Sequence, residues 1–512
     1  MTRPLSPADT VTTSSPVDAA AVRIARFDNS YAGLPERFYA RLNPTPVAAP
    51  RLIMVNERLA AELGVDIQSH DASTLAAIFA GNVIPVGADP IALAYAGHQF
   101  GHFVPQLGDG RAILLGEVRD RGGTRRDMQL KGSGRTPFSR NGDGRAALGP
   151  VLREYLVSEA MHALGIPATR TLAAVTTGER IRREGMVPGA VLTRIAASHV
   201  RVGTFEYFAA RGDSEAVQLL ADYVVDRHYP DVLTAAQPYL ALLAAITERQ
   251  ALLVARWMHV GFIHGVMNTD NMSVSGETID FGPCAFMDAF DPAAVFSSID
   301  RNGRYAYANQ PHAAQWNLAR LAETLLPLLD PIPERAAELA TEVLSKFSAR
   351  IGEHWLAGMR AKLGLQSARE GDLKFVEGFL DLLHRNRADF TLMFRALCDA
   401  AETTAADARV RALLADPATY DEWAATWRAR TADEAGDSRS RGEAMRRVNP
   451  VFIPRNHRVE QAITAAVERE DYSLFSRLLE VLSAPYTDSS AFADFSNPPR
   501  SDERVIETFC GT

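Results

Sequence analysis

In the stretch HGVMNTDNMSVSGETIDFG, residues 264–282, an amide at Asn271 and a carboxylate at Asp280 stand on either side of a Ser275-Gly276 turn. Two oxygen ligands brought together this way suit a hard divalent cation held against phosphates, Mg²⁺ first and Mn²⁺ as the alternative. Asp270, next to Asn271, adds a carboxylate in reach of the same place, able to take a proton from an incoming hydroxyl. His264 is expected to pack at the base of this loop rather than to react.

The pattern follows the HxD-x4-N and D-F-G loops of phosphotransferases except at one position. Val266 stands where their catalytic aspartate belongs, which disfavours ordinary γ-phosphate transfer and leaves Asp270 as the candidate base. Upstream, Lys131 is followed after 23 residues by Glu154, the spacing of a strand lysine and a helix glutamate that position nucleotide phosphates. Between Arg111 and Glu154 ten basic residues face five acidic ones, a local positive excess suited to a triphosphate. GDGR at 108–111, KGSGR at 131–135 and NGDGR at 141–145 can each turn backbone N–H groups toward an anion beside an Arg. Arg194 and Arg201, seven residues apart, would share a face if their segment were helical, and their planar forks suit a terminal phosphate. HQFGH at 98–102 has the outline of a zinc helix, but Gln99 replaces its base and Gly101 weakens a helix, so it is set aside.

These residues need elements to hold them. Residues 107–131 alternate short apolar runs with DG and GG turns, as antiparallel strands do, and 170–196 carries a second strand signal. Between them, 146–164 places Leu148, Val151, Leu152, Tyr155, Leu156 and Ala160 near one helical face. MSVSGETIDF reads as two short strands joined at Ser275-Gly276, helical patterns dominate from about 197 to 430, 430–446 reads as a loop, and 457–483 reads as helical. Sheet-rich first and helix-rich second predicts an α+β, bilobal, protein-kinase-like fold. The expected division is a disordered lead-in at 1–25, an N-terminal extension and nucleotide-binding lobe at 26–195, a helical lobe with the catalytic segment at 196–430, and a C-terminal extension at 431–512.

Composition sets bounds. A 512-residue chain that is 47% hydrophobic and 23% charged has room for more than one sizeable core. A net charge of -8 argues against a dedicated nucleic-acid binder. Cys284, Cys398 and Cys510 make neither a disulfide framework nor a C-x-x-C site, so a reducing compartment is expected. The most apolar window, 237–266, is interrupted by Glu248, Arg249, Gln250 and Arg256, which predicts a buried helix rather than the roughly 20-residue span a bilayer needs. No membrane partner is expected, and the absence of an apolar leader near residue 1 points to the cytoplasm.

The runs AYAGHQFGHFVPQLGDGRAILLGEV, QLKGSGRTPFSRNGDGRAALGPVLREYL and HGVMNTDNMSVSGETIDFGPCAFMD resemble the selenoprotein O family from about residue 25 onward. That resemblance implies a kinase-like fold that transfers AMP, not phosphate, from ATP to Ser, Thr or Tyr hydroxyls of other proteins, with ATP bound in reversed orientation. By motif, it implies that Lys131 with Glu154, Arg194 and Arg201 hold the far phosphates, and that Gly108, Gly110, Arg111, Asp143 and Gly144 line the nucleotide site. Asn271 and Asp280 would bind Mg²⁺, and Asp270 would be the proton acceptor. Members with selenocysteine carry it near the chain end, where this sequence has Cys510. A kinase and a nucleotide-binding pseudoenzyme remain the alternatives at this stage.

Overall fold

The computed structural model describes residues 22–509, so the expected lead-in lies outside the described residues up to residue 21, while Ile24 and Ala25 are already buried. In chain order the strands are β1 (Tyr39–Arg41), β2 (Arg51–Val55), β3 (Ile91–Leu93), β4 (Gly97–Gln99), β5 (His102–Val104), β6 (Ala112–Arg119), β7 (Arg125–Lys131), β8 (Ala146–Ala147), β9 (Arg170–Arg182), β10 (Met186–Ala196), β11 (Phe262–Ile263) and β12 (Ala285–Phe286). The main sheet runs β1-β3-β6-β7-β10-β9-β2 with β8 beside β10, and β4–β5 and β11–β12 form two small separate pairs.

Period-two alternation gives the main sheet two faces. Met128, Leu130, Val191 and Ile195 pack onto Leu59, Leu63, Ile78 and Phe79 of the helices Glu57–Leu63 and Ala72–Ala80. Ala190 and Leu192 point the other way, beneath Val151, Leu152 and Tyr155 of the helix Leu148–Ala163. Lys131 lies opposite Leu192, and Gln129 opposite Arg194, so Lys131, Gln129 and Arg194 share this second face. A slip of one residue would drive both cations into the apolar face, so the register is strongly specified.

The remainder is mostly helical. Pro238–His259 is by length and composition apolar enough to cross a membrane. Here it is a core helix, burying Leu242, Leu243, Ile246, Leu253 and Val254 and packing against Phe347–Lys362 and Gln310–Leu329. Segment 430–446, expected as a loop, instead ends one helix (Pro417–Ala432) and forms another (Ser438–Arg446). The polar composition misleads there, because Asp437 caps the second helix by accepting from Ser440 N and only Gly442 and Met445 need burial. The helical stretch at 457–483 is two helices, Asn456–Arg469 and Ser473–Leu482, broken at Glu470 in a left-handed conformation.

Those two helices matter to the site because they brace the helix that carries Glu154. Val459, Ala462, Phe475 and Leu478 join Val151, Leu152 and Tyr155 in one core, the Tyr155 and Phe475 rings meet edge to face at 5.5 Å, and Arg153 pairs with Glu460. Phe475→Ala should therefore cost about 3–5 kcal/mol of stability in chemical denaturation. A cost below about 1 kcal/mol, within the range of surface substitutions or little more, would mean the bracing is absent.

Candidate active site

Four charges meet where β7, β10, the Leu148–Ala163 helix and the D-F-G segment converge. Lys131 Nζ donates to Glu154 Oε2 at 2.6 Å and to Asp280 Oδ1 at 2.5 Å. Arg194 Nε donates to Glu154 Oε1 at 2.8 Å, and its Nη2 to Asp280 Oδ1 at 2.9 Å. Arg194 is on β10 rather than on a helix, and its side chain is only 2% exposed. Burial alone would raise the Asp280 carboxyl, but Lys131, Arg194 and Arg201 outweigh it and hold it well below the usual carboxylate range. Glu154 is held down in the same way, by Arg194 and then Lys131 acting against burial. Asp280 has φ +66°, a left-handed conformation unusual for a non-glycine residue and of the kind held in place by surrounding structure at functional sites.

Arg201 differs from its neighbours. It precedes the helix Val202–Ala209, is 3% exposed, and lays its guanidinium over the Tyr95 ring at 4.3 Å. Asp109, Asp270 and Asp280 all feel its charge, yet it forms no ion pair among the described residues and its Nε has no hydrogen-bond partner. A buried guanidinium is costly unless an anion answers it. The expected shared helical face of Arg194 and Arg201 is thus replaced by a strand and a helix start that converge on Asp280, because Ala173 and Thr171 of β9 hold this stretch extended through Ala196.

The segment from His264 to Asp280 is anchored from beneath. His264, 1% exposed, donates from Nε2 to Ile279 O at 2.9 Å and packs against the tilted Trp257 ring, as expected. Val266 is buried, and its carbonyl accepts from Asn271 Nδ2 at 3.0 Å, which turns the Asn271 Oδ1 away from that bond. The expected hairpin over MSVSGETIDF shrinks to one antiparallel bridge, Met272 with Thr278, around a turn at Gly276. The reason is that its backbone groups are claimed from outside: Gln250 Nε2 donates to the Ser273 carbonyl, Val202 N to the Met272 carbonyl, and Thr278 bonds with Pro167 O and Thr169 N. Asp270 is 8% exposed; burial pushes its carboxyl up to about 7 against the pull of Arg201.

The glycine turns gather, but their backbone is largely spent inside the protein. The N–H of Gly110 donates to Gly108 O, that of Gly132 to Arg111 O, and that of Gly134 to Gly144 O. A Cβ at Gly144 would lie 2.1 Å from Gly134 O, and one at Gly108 2.3 Å from the Phe138 ring, so glycine there permits loop-on-loop contact. Arg111 makes no ion pair among the described residues, whereas Asp143 is gripped by Arg183 at 2.8 Å and by Arg145 N. The local positive excess is also mostly answered: Arg119 and Arg125 pair with Asp28, Arg126 with Asp120 and Glu277, Arg145 with Glu179, and Arg153 with Glu460. Counting charge along the chain cannot see carboxylates that folding brings in. HQFGH is a β4–β5 hairpin with Gln99 paired to His102, not a helix turn.

Several residues at the site carried no recognised signal. Asp109 is buried and accepts from Leu93 N and Gln129 Nε2, and Tyr95 supports Arg201. Asp109 lies inside GDGRA, a pentapeptide that occurs twice, at 108–112 and 142–146, which was the available clue. Thr508 returns to pair with Ser297 and donates to Pro283 O, just after D-F-G; Cys510 lies outside the described residues.

Comparison with known proteins settles the family. The family model described as protein adenylyltransferase SelO matches residues 22–483. The chain belongs to the SelO family. It is 63% identical over 486 residues to the protein nucleotidyltransferase YdiU of Rhizobium leguminosarum bv. trifolii (strain WSM2304), covering 95% of this chain and 97% of that one. The YdiU proteins of Rhizobium meliloti (strain 1021) and Bradyrhizobium diazoefficiens are each 61% identical, covering 95% of this chain and 99% of theirs. As a SelO protein the chain is an enzyme of the nucleotidyltransferase class, a class that works on a nucleotide and typically with a divalent metal.

The two arginines of this SelO site should respond unequally to truncation. Arg194→Met leaves two carboxylates to share Lys131 and should cost about 3–5 kcal/mol. Arg201→Met removes a buried cation with no direct ion pair among the described residues, losing its attraction to Asp109 and Asp280 and a cation–π contact, so its cost should stay below about 2 kcal/mol. Equal losses in parallel denaturation curves would contradict this account.

Proposed function

We propose that this SelO protein transfers AMP from ATP to Ser, Thr or Tyr hydroxyls of other proteins. The observation that carries the reading is the buried Arg201, without an ion pair among the described residues, beside the charge-matched set of Lys131, Glu154, Arg194 and Asp280. In this reading residues 26–195 and 196–430 act as the two lobes of a kinase-like enzyme, with residues 431–512 as an extension bracing the Glu154 helix. The far phosphates of ATP lie toward Arg194, Arg201 and Lys131, with Gly108, Gly110, Arg111, Asp143 and Gly144 along the nucleotide.

Mg²⁺ fits the donor set: Asn271 offers its amide oxygen, and Asp280, whose Oδ1 takes both cations, keeps Oδ2 for a metal. Bound there, the ion would neutralise phosphate charge in the transition state. The acceptor hydroxyl oxygen attacks the α-phosphorus and its proton passes to Asp270. The bond from the α-phosphorus to the bridging oxygen breaks, and pyrophosphate leaves. Val266 supplies no base, so the burden falls on Asp270, whose buried Oδ1 has no partner among the described residues. Lys131 and Arg194 hold Asp280 in place, and Arg201 answers the charge of the far phosphates.

The test is a parallel transfer assay with α-labelled and γ-labelled ATP on a protein acceptor. Label should appear from the α position alone and vanish in Asp280→Ala, and Asp270→Ala should lower transfer by about 10²- to 10⁴-fold. Label from the γ position would make the protein a kinase, and no label from either would make it a nucleotide-binding pseudoenzyme.

A further inference from the structure

The hairpin β4–β5, which carries the HQFGH motif, closes directly over Asp270. A Cβ at Gly97 would lie 2.6 Å from Asp270 Oδ1, and one at Gly203 would come within 3.4 Å of Asp270 Cα and 2.1 Å of Ala96 O. Both positions must be glycine for the hairpin and the Val202–Ala209 helix to approach this carboxylate so closely. Ala96 N donates to Gly203 O at 2.9 Å, fastening one to the other.

Side chains then close a ring. The hydroxyl of Thr269, the residue before Asp270, accepts from His98 N at 2.6 Å and donates to Glu206. The other Glu206 oxygen takes the Nδ1–H of His98. Glu206 is 4% exposed and Thr269 fully buried, so these bonds are shielded from water. On the far side of Thr269, Asn268 Oδ1 accepts from Phe100 N at 3.0 Å and from the Tyr305 hydroxyl at 2.8 Å. Phe100 adopts φ +52° at the hairpin tip, a conformation that these contacts hold. Gln99 Nε2 comes within 3.5 Å of Asp270 Oδ2, while Oδ1 lies buried beneath Gly97 with no hydrogen-bond partner among the described residues. Residues 268 and 269 are thus fixed at both side chains, and the Asp270 carboxylate is held against the hairpin.

We propose that Glu206, Thr269 and His98 are positioning residues: by locking the β4–β5 hairpin to the catalytic turn they fix the Asp270 carboxylate with Oδ1 beneath Gly97, so that Oδ2 is the oxygen presented to the acceptor hydroxyl. The proposal rests on the reading of Asp270 as proton acceptor. The ring touches none of Lys131, Glu154, Arg194, Arg201 or Asp280, so disturbing it should affect the transfer step and leave nucleotide binding intact.

Thr269→Val keeps the shape of the side chain and removes both hydrogen bonds, whereas Thr269→Ser keeps them. Thr269→Val should lower kcat for AMP transfer by about 10- to 100-fold, with KM for ATP within about threefold of the parent, and Thr269→Ser should return kcat to within about threefold. An unchanged kcat in Thr269→Val overturns the proposal. So does a loss in which kcat, ATP affinity and melting temperature fall together and Thr269→Ser restores none of them, the mark of a purely structural role. If Thr269→Val does not fold, Glu206→Gln, which cannot accept from both Thr269 and His98, provides the same comparison: lowered kcat at unchanged KM for ATP supports the proposal, and unchanged kcat refutes it. Asp270→Ala, assayed alongside, separates the two layers: full activity in that variant removes the proton-acceptor reading itself, while an inactive Asp270→Ala beside a fully active Thr269→Val removes only the positioning role.

Discussion

The ion cluster of Lys131, Glu154, Arg194 and Asp280 is the constraint on which the rest depends. Each member comes from a different element: the end of β7, the Leu148–Ala163 helix, β10 and the D-F-G segment. Two cations and two carboxylates, largely buried, tolerate loss poorly, since removing any one leaves the cluster with an unbalanced charge. The β7–β10 register, the docking of the helix and the left-handed turn at Asp280 must therefore all be right at once. The apolar face of the sheet enforces the first, and the C-terminal helices Asn456–Arg469 and Ser473–Leu482 enforce the second.

Charge balance also divides the site. The four paired groups satisfy one another directly. Arg201, buried over Tyr95 without an ion pair among the described residues, is stabilised by the longer-range charges of Asp109 and Asp280 rather than by a direct partner. A phosphate-bearing substrate would supply that direct partner.

Much of this was legible in the amino-acid order where the information is local. The strands β6, β7, β9 and β10 and the Leu148–Ala163 helix follow from periodicity and turn residues, and the Lys131–Glu154 pair follows from its spacing across them. Reading failed where partners come from far away. The hairpin expected at 272–281 gave way because Gln250, Val202, Pro167 and Thr169 take its backbone groups, and the positive stretch from Arg111 to Glu154 is neutralised by Asp28, Glu179, Glu277 and Glu460. Arg201 was recognised by type but assigned to the wrong element. The ring of Glu206, Thr269 and His98 bridges sequence separations of 63 and 171 residues, and no local pattern announces it.

The central claim is that the far phosphates of ATP, rather than its adenosine monophosphate part, lie against Arg201. The direct measurement is titration calorimetry of ATP and of AMP, side by side, with the parent protein and with Arg201→Met. The account predicts that the substitution weakens ATP by about 10- to 100-fold, the value of a charge-assisted contact, and leaves the Kd of AMP within about twofold. Equal weakening of ATP and AMP, or none of either, would contradict it.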